Sequence, residues 1–316
     1  MRSLTTYALV LISLICLASS AVSSGEMNSS YNIHNSATIT YGSTSANLVY
    51  STSFEYSTVY SANELNLEGN GPYAPRNFLS LNDGGTFWVE DKNTIPPYAP
   101  ATGRPTPRTG NKMLGLMVPA STTIGIRSEF GLVAIDGISL TPNTLHLIDE
   151  AFLSIWLWLP PDWDLARTGN NWYELVNPYY CINPAYYPKC ALHILEPNGP
   201  NGPCTLALKH YTAVGVFTTL GQISNFVVPR GEWFNLKWWI RLHETNGAIK
   251  FWLSTSYYGN DYLLADKSGF QTRNSPTGNP PYYWSASVAK VYLDGDNGPE
   301  YLYADDLQVW DGLPTP

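Results

Sequence analysis

Arg127 and Glu129 are the first residues in this chain placed to do chemistry together. In Thr123–Leu132 the apolar Ile124, Ile126, Phe130 and Leu132 alternate onto one strand face. Arg127 and Glu129 fall side by side on the other. Asp149 and Glu150 are adjacent in sequence and point to opposite faces, so they cannot act as a nucleophile-and-acid pair on one strand. No Gly-x-Ser-x-Gly elbow, no phosphate-binding loop and no G-x-G-x-x-G turn occurs. Serine-nucleophile and nucleotide chemistry are therefore unsupported.

A second candidate surface comes from Glu232–Ser254, EWFNLKWWIRLHETNGAIKFWLS. Asn246-Gly247 is the favoured pair for a two-residue type I′ turn, because both positions need positive φ. That turn predicts Thr245 opposite Ala248, and hence His243 with Lys250, Arg241 with Trp252 and Trp239 with Ser254. The other face pairs Leu242 with Phe251 and Ile240 with Leu253, which reads as core. The first face is cationic and aromatic, with Arg241 expected over Trp252. It reads either as the floor of a groove where aromatic rings stack on sugar rings, or as a solvated outer face.

These residues need strands to carry them, and the chain supplies strands. Leu153, Ile155, Leu157 and Leu159 share a face opposite Ser154, Trp156 and Trp158. The segment ALHILEPNGPNGPCTLALKHY reads as two strands joined by a Gly/Pro/Asn turn. No sustained 3.6-residue pattern appears beyond the N-terminal segment. Aromatics make up 14% of the 316 residues and charged residues 13%, against the ~25% charge usual in soluble proteins. With 25 Gly and 24 Pro, this composition predicts an all-β chain folded as a two-sheet antiparallel β-sandwich. A net charge of −8 argues against a nucleic-acid partner.

Arg2, the apolar run Tyr7–Ala18 and the small residues Ser19, Ser20 and Ala21 match a secretory leader over 1–21. No other stretch reaches ~18 apolar residues, so no membrane span is expected in the mature chain, which would be secreted or held at the cell surface. Residues 22–48 are rich in Ser, Thr and Asn and read as a tether or a loosely held first strand. A single domain is expected over 49–313. Its Pro-rich stretch 93–111 reads as a long surface loop of the kind that borders a binding site. Cys16 lies in the leader, leaving Cys181, Cys190 and Cys204 as one pair and one orphan. Cys181 and Cys190, bracketing Ile182–Lys189, are the expected disulfide. The absence of CxxC spacing argues against zinc.

Several segments, in order over about 120–312, resemble the concanavalin A-like jelly roll of lectins and glucanases. Within it they resemble polysaccharide lyases of the alginate-lyase and heparin-lyase type. Ile126–Phe130 is similar to the Arg-x-Glu-Leu strand of those lyases, and Phe152–Trp163 to the strand that follows. Ala191-Leu192-His193 sits where alginate lyases carry Gln-(Ile/Val)-His, and Lys290-Val291-Tyr292 partly resembles Lys-x-Gly-x-Tyr. The hairpin at Asn246-Gly247 and the closing strand Tyr303–Asp311 complete the likeness. Ala191 replaces the expected Gln, and Val291 stands where a Gly precedes the tyrosine.

The resemblance implies β-elimination on a uronate-containing polysaccharide, a reaction that requires no cofactor. Arg127 would clamp the uronate carboxylate, with Glu129 holding the guanidinium. His193 would take the C5 proton and Tyr292 would donate, or both take and give, a proton. Lys209, Lys237, Trp239, Arg241, Lys250, Trp252 and Lys290 would bind the substrate, the lysines and Arg241 supplying a basic face on an acidic chain. The chain edges also resemble carbohydrate-binding jelly rolls in which a Glu and an Asp share a structural calcium ion. Glu55 and Asp306 are the matching carboxylates, read either as that site or as two solvated acids. A non-catalytic carbohydrate-binding or surface-adhesion module is the alternative function.

Overall fold

A computed structural model of the chain describes residues 38–41, 44–55, 58–61, 64–66, 78–94, 99–100, 103–120, 124–135, 150–165, 172–181, 187–196, 202–273, 283–294 and 299–314. The expected leader lies outside them. In chain order the strands are β1 (Thr38–Tyr41), β2 (Thr44–Thr52), β3 (Thr58–Ser61), β4 (Glu64–Asn66), β5 (Phe78–Asp83) and β6 (Thr86–Asp91). Next come β7 (Lys112–Val118), β8 (Ile124–Ile135), β9 (Glu150–Trp158), β10 (Trp172–Cys181), β11 (Lys189–Leu195) and β12 (Thr205–Ala213). The last are β13 (Val216–Ser224), β14 (Trp233–Arg241), β15 (Gly247–Thr255), β16 (Gly259–Phe270), β17 (Tyr283–Asp294) and β18 (Glu300–Trp310). Among the described residues no helix is long and apolar enough to cross a membrane.

The strands form two nine-stranded antiparallel sheets, which is the sandwich that period-2 alternation predicts. The first runs β1-β2-β18-β9-β14-β15-β16, with β7 added through β18 and β6 through β7. The second runs β13-β12-β11-β10-β17-β8-β5-β4-β3. One apolar core joins them. Leu153, Ile155 and Leu157 of β9 and Leu236, Trp238 and Ile240 of β14 meet Leu192 and Ile194 of β11 and Leu206 and Leu208 of β12. Each such side chain contributes about 1.5–3 kcal/mol on burial. Trp238 donates its indole N–H to the Pro178 carbonyl across the core, at 3.2 Å.

The β14–β15 hairpin departs from the expected register. Arg241, not Thr245, stands opposite Ala248, so Lys237 faces Trp252 and Trp239 faces Lys250. The connection is Leu242–Asn246 rather than a two-residue turn. His243 Nδ1 accepts the backbone N–H groups of Thr245 and Asn246 at 3.1 and 2.8 Å. Thr272 accepts the N–H of His243 at 2.7 Å and donates to the Arg241 carbonyl at 2.8 Å. These bonds satisfy the longer loop. The slip is even, so the expected division of faces survives it.

One other expectation needs revision. Cys190 is a free, fully buried thiol facing Tyr179, so the Cys181–Cys190 disulfide is not formed. The described residues of the Pro-rich stretch form a surface loop, as expected, and Arg104 and Thr106 fasten it to the outer face of the first sheet. Arg104 pairs with the buried Glu90, and Trp233 donates to the Thr106 carbonyl at 3.1 Å. Beneath it Trp88, Met113, Trp158 and Tyr303 form a small second core. Gly115 makes room for the Trp88 indole, because a Cβ there would collide with it. Nearer the N-terminus, part of the stretch expected as a tether or loose first strand holds β1 and the start of β2, which pair with each other.

Candidate functional site

Every residue expected to be catalytic lies on the outer face of the second sheet. On β11, Cys190, Leu192 and Ile194 point into the core, so Lys189, Ala191 and His193 point outward. The same parity on β12 turns Lys209 and Tyr211 outward. Cross-strand partners extend the row: Glu174 of β10 faces His193, Lys290 of β17 faces Glu129, and Tyr292 faces Arg127.

A buried chain of opposite charges runs across the strands. Lys290 Nζ lies 3.3 Å from Glu174 and 3.7 Å from Glu129, all three side chains being about 5% exposed or less. Lys189 reaches Glu174 at 3.4 Å, and Arg127 stands 3.9 Å from Glu129, whose other oxygen accepts the Ser287 hydroxyl. Burial penalises the Lys290 ammonium, but Glu174 and Glu129 more than offset this and raise its pKa. Burial likewise works against the Glu174 carboxylate, yet Lys290, Lys189 and His193 hold its pKa well below the usual range. Glu174 and Lys290 therefore keep their charges at neutral pH.

His193 behaves differently. Only 6% exposed, it is brought down to about pKa 4 by burial, with Glu174 opposing and Lys209, Lys189 and Lys290 reinforcing the shift. Its imidazole is therefore neutral at pH 7. The Tyr211 hydroxyl lies 3.3 Å from Nε2, while Nδ1 is buried without a hydrogen-bond partner. Burial first, and then Glu174, Cys190 and Tyr187, push the Tyr211 phenol well above its ordinary pKa. Lys189 stands over the Tyr211 ring, 5.3 Å from its centroid. Trp172 sits between the expected base and the expected acid: its ring lies 5.4 Å from that of His193 and stacks on Tyr292 at 5.2 Å.

No protein family matches the sequence, and no curated protein matches it. Solved structures with a similar arrangement include an endo-β-1,4-glucuronan lyase from Trichoderma reesei. It is 13% identical, with a TM-score of 0.45 over 74% of this chain and 88% of that one. A Shewanella oneidensis protein of unknown function is 11% identical over 92% of this chain and 96% of its own, with a TM-score of 0.43. A putative β-glucanase from Mycobacterium abscessus is 13% identical over 62% and 75%, with a TM-score of 0.32.

The expected site divides between the two outer faces. Arg127, Glu129, His193, Tyr292, Lys209 and Lys290 share the second sheet. Lys237, Trp239, Arg241, Lys250 and Trp252 lie on the first sheet, facing away from it. There Lys237 pairs with Asp261 at 2.7 Å, Lys250 with Asp266 at 3.1 Å, and Trp239 donates to Glu150 at 3.1 Å. Arg241 donates to the Asn246 carbonyl at 3.0 Å rather than covering Trp252. Lys237, Trp239, Arg241 and Lys250 thus each have a partner of their own on that surface. Within the second sheet, Arg127 is three strands from His193, about 14 Å at the usual strand spacing. The two side chains therefore start from strands that are not neighbours.

Tyr211, Glu174, Lys189 and Trp172 were not expected as site residues. Tyr211 was readable from parity with Lys209. Glu174 lies on a strand whose register shifts twice, which hides its face in the sequence.

Glu55 and Asp306 both grip residues 108–112. Glu55 accepts the N–H groups of Asn111 and Lys112 at 2.6 and 2.8 Å. Asp306 accepts from the Arg108 guanidinium and the Thr109 hydroxyl, each at 2.5 Å. Arg108 also lies over Trp156, 3.8 Å from the ring centroid. N–H, hydroxyl and guanidinium partners do not fit the oxygen cage a calcium ion needs, and no group of three His, Cys, Asp or Glu suited to a metal occurs among the described residues.

Proposed function

We propose that the chain is an exported polysaccharide lyase that cleaves a uronate-containing polysaccharide by β-elimination, with Tyr211 and His193 as its proton-transfer pair. The observation that carries this reading is the hydroxyl–imidazole contact of 3.3 Å on a face that also bears Lys189, Lys209, Lys290 and Arg127. Those cations supply local positive charge on a chain of net −8, as a polyanionic substrate needs. The leader-like Tyr7–Ala18 run supports export.

Tyr211 is protonated at rest and His193 is neutral, so each begins in the state the reaction needs. Tyr211 Oη takes the C5 proton as its own proton passes to Nε2 of His193. The electron pair left at C5 forms the C4–C5 double bond, and the C4–O4 bond breaks. Oxygen O4 takes a proton from Tyr211, and His193 returns its proton to the phenol. Such relayed acid–base chemistry contributes about 10²–10⁴ in rate. The Trp172–Tyr292 stack, next to His193, offers an aromatic platform for the adjoining sugar.

The test is the ultraviolet absorbance of unsaturated uronate released from alginate, heparin-like and pectic polymers over a range of pH. Product formed by the native chain and lost in Tyr211→Phe supports the reading. Retention of a polymer with no unsaturated product from any of them would instead identify a non-catalytic carbohydrate-binding module.

A further inference from the structure

Lys209 differs from every other cation on this face. Lys290 is held by two carboxylates, Lys189 by Glu174 and Arg127 by Glu129. Lys209 has no carboxylate within ion-pair distance among the described residues; its ammonium lies over the Phe217 ring, 4.2 Å from the centroid. Phe217 in turn packs on Tyr211 at 5.3 Å, so the aromatic that seats Lys209 also seats the phenol.

Its position is also distinctive. Lys209 faces Ala191, and Ala207, two residues before it on β12, faces His193. A diagonal neighbour in an antiparallel pair lies about 7–8 Å away, within reach of a long side chain. The two outward alanines are small, which leaves room above the strands between Lys209 and His193. Of the three lysines that depress the His193 pKa, Lys209 acts most strongly. In β-elimination the carboxylate is bonded to the carbon that loses the proton, so the group neutralising it must stand within one carboxylate of the base. Arg127, three strands from His193 and four from Tyr211, starts much farther from either group than Lys209, which is one strand from His193 and two residues from Tyr211 on β12.

Resting on the lyase reading, we infer that Lys209 is the residue that binds and neutralises the carboxylate of the sugar undergoing elimination, making the site selective for free uronic acids over their neutral esters. A methyl ester has no charge to neutralise, and this separates the role from a structural one.

The experiment uses the full chain, Lys209→Met and Lys209→Arg, with alginate and pectate, each as sodium salt and as methyl ester. Unsaturated product measures cleavage. Retardation in gels containing each polymer measures binding, and thermal melting checks that the variants fold. Expected is a fall in kcat/KM of about 100-fold for Lys209→Met on the salts, the scale of losing one charge-stabilising group. On the esters the variant stays within about threefold of the native chain, and Lys209→Arg recovers part of the loss on the salts. Cleavage with no difference between salts and esters in Lys209→Met would overturn the inference and leave the lyase reading intact. Retardation by the salts that disappears in Lys209→Met, with no cleavage by the native chain, would uphold carboxylate recognition by Lys209 and remove the elimination. Neither cleavage nor retardation would overturn both.

Discussion

Tyr211 Oη stands 3.3 Å from Nε2 of His193, whereas Tyr292 is separated from that imidazole by the Trp172 ring stacked upon it. The two tyrosines therefore have different expected roles. Tyr211→Phe should lower kcat on the cleaved polymer by about 100-fold or more, because the relay loses its proton. Tyr292→Phe removes a hydroxyl but keeps a stacking ring, so kcat should change by less than about tenfold. Steady-state kinetics of both variants decide this. Equal losses in kcat would return Tyr292 to the chemistry.

The buried imidazole also makes a stability prediction. The folded pKa of His193 is about 4, against 6.5 when exposed. Between those values the unfolded chain binds a proton that the folded chain does not. The stability associated with neutral His193 is complete above about pH 6.5 and is lost as pH falls towards 4, with a slope of up to ~1.4 kcal/mol per unit and a total near 3 kcal/mol. His193→Asn should lack this component. Urea midpoints of both chains at pH 7.5, 5.5 and 4.5 should diverge in that direction, and parallel curves would refute it.

Lys290 is the keystone of the charge chain between Glu129 and Glu174. Lys290→Met leaves two buried carboxylates facing an apolar side chain, and should destabilise the fold by about 3–5 kcal/mol. Adding Glu129→Gln and Glu174→Gln removes the stranded charges and should recover much of that loss. Denaturant titrations of the single and triple variants measure it, and a single variant within 1 kcal/mol of the native chain would contradict it.

Trp239 gives the opposite expectation for function. It lies on the outer face of the first sheet, where its indole donates to Glu150. Trp239→Ala should leave cleavage and polymer retardation unchanged and reduce stability by only about 1–2 kcal/mol, through one hydrogen bond and partly exposed apolar area. A loss of polymer retardation would bring that face back as a binding surface.

Alternation alone revealed much of this molecule. Phe130 against Arg127 and Glu129, and Leu153, Ile155 and Leu157 against Trp156 and Trp158, show which residues face the core. Period-2 order is local, so it can be read without knowing the partner strand. The hairpin register was not local in that sense. It depends on Thr272, far beyond the turn, which holds the backbone of Arg241 and His243. Nor does parity say which sheet a strand joins. Lys237, Trp239 and Arg241 share a face, as expected, but strand order puts that face opposite the one bearing His193. The pairing of His193 with Tyr211 depends on the β11–β12 register across a Gly/Pro/Asn connection, whose length the sequence leaves free.

Strand β18 has consequences for how the chain comes to be folded. It pairs with β9 along one edge and with both β2 and β7 along the other. Asp305 and Asp306, within it, tie down Arg108 and Thr109. One edge of each of β2, β7 and β9 thus finds its neighbour only after Glu300–Trp310 has been synthesised. At ordinary elongation rates that interval is on the order of tens of seconds. Throughout it β2, β7 and β9 present unpaired edges of the kind that recruit other chains. The nascent protein therefore depends on whatever shields those edges until its last strand arrives.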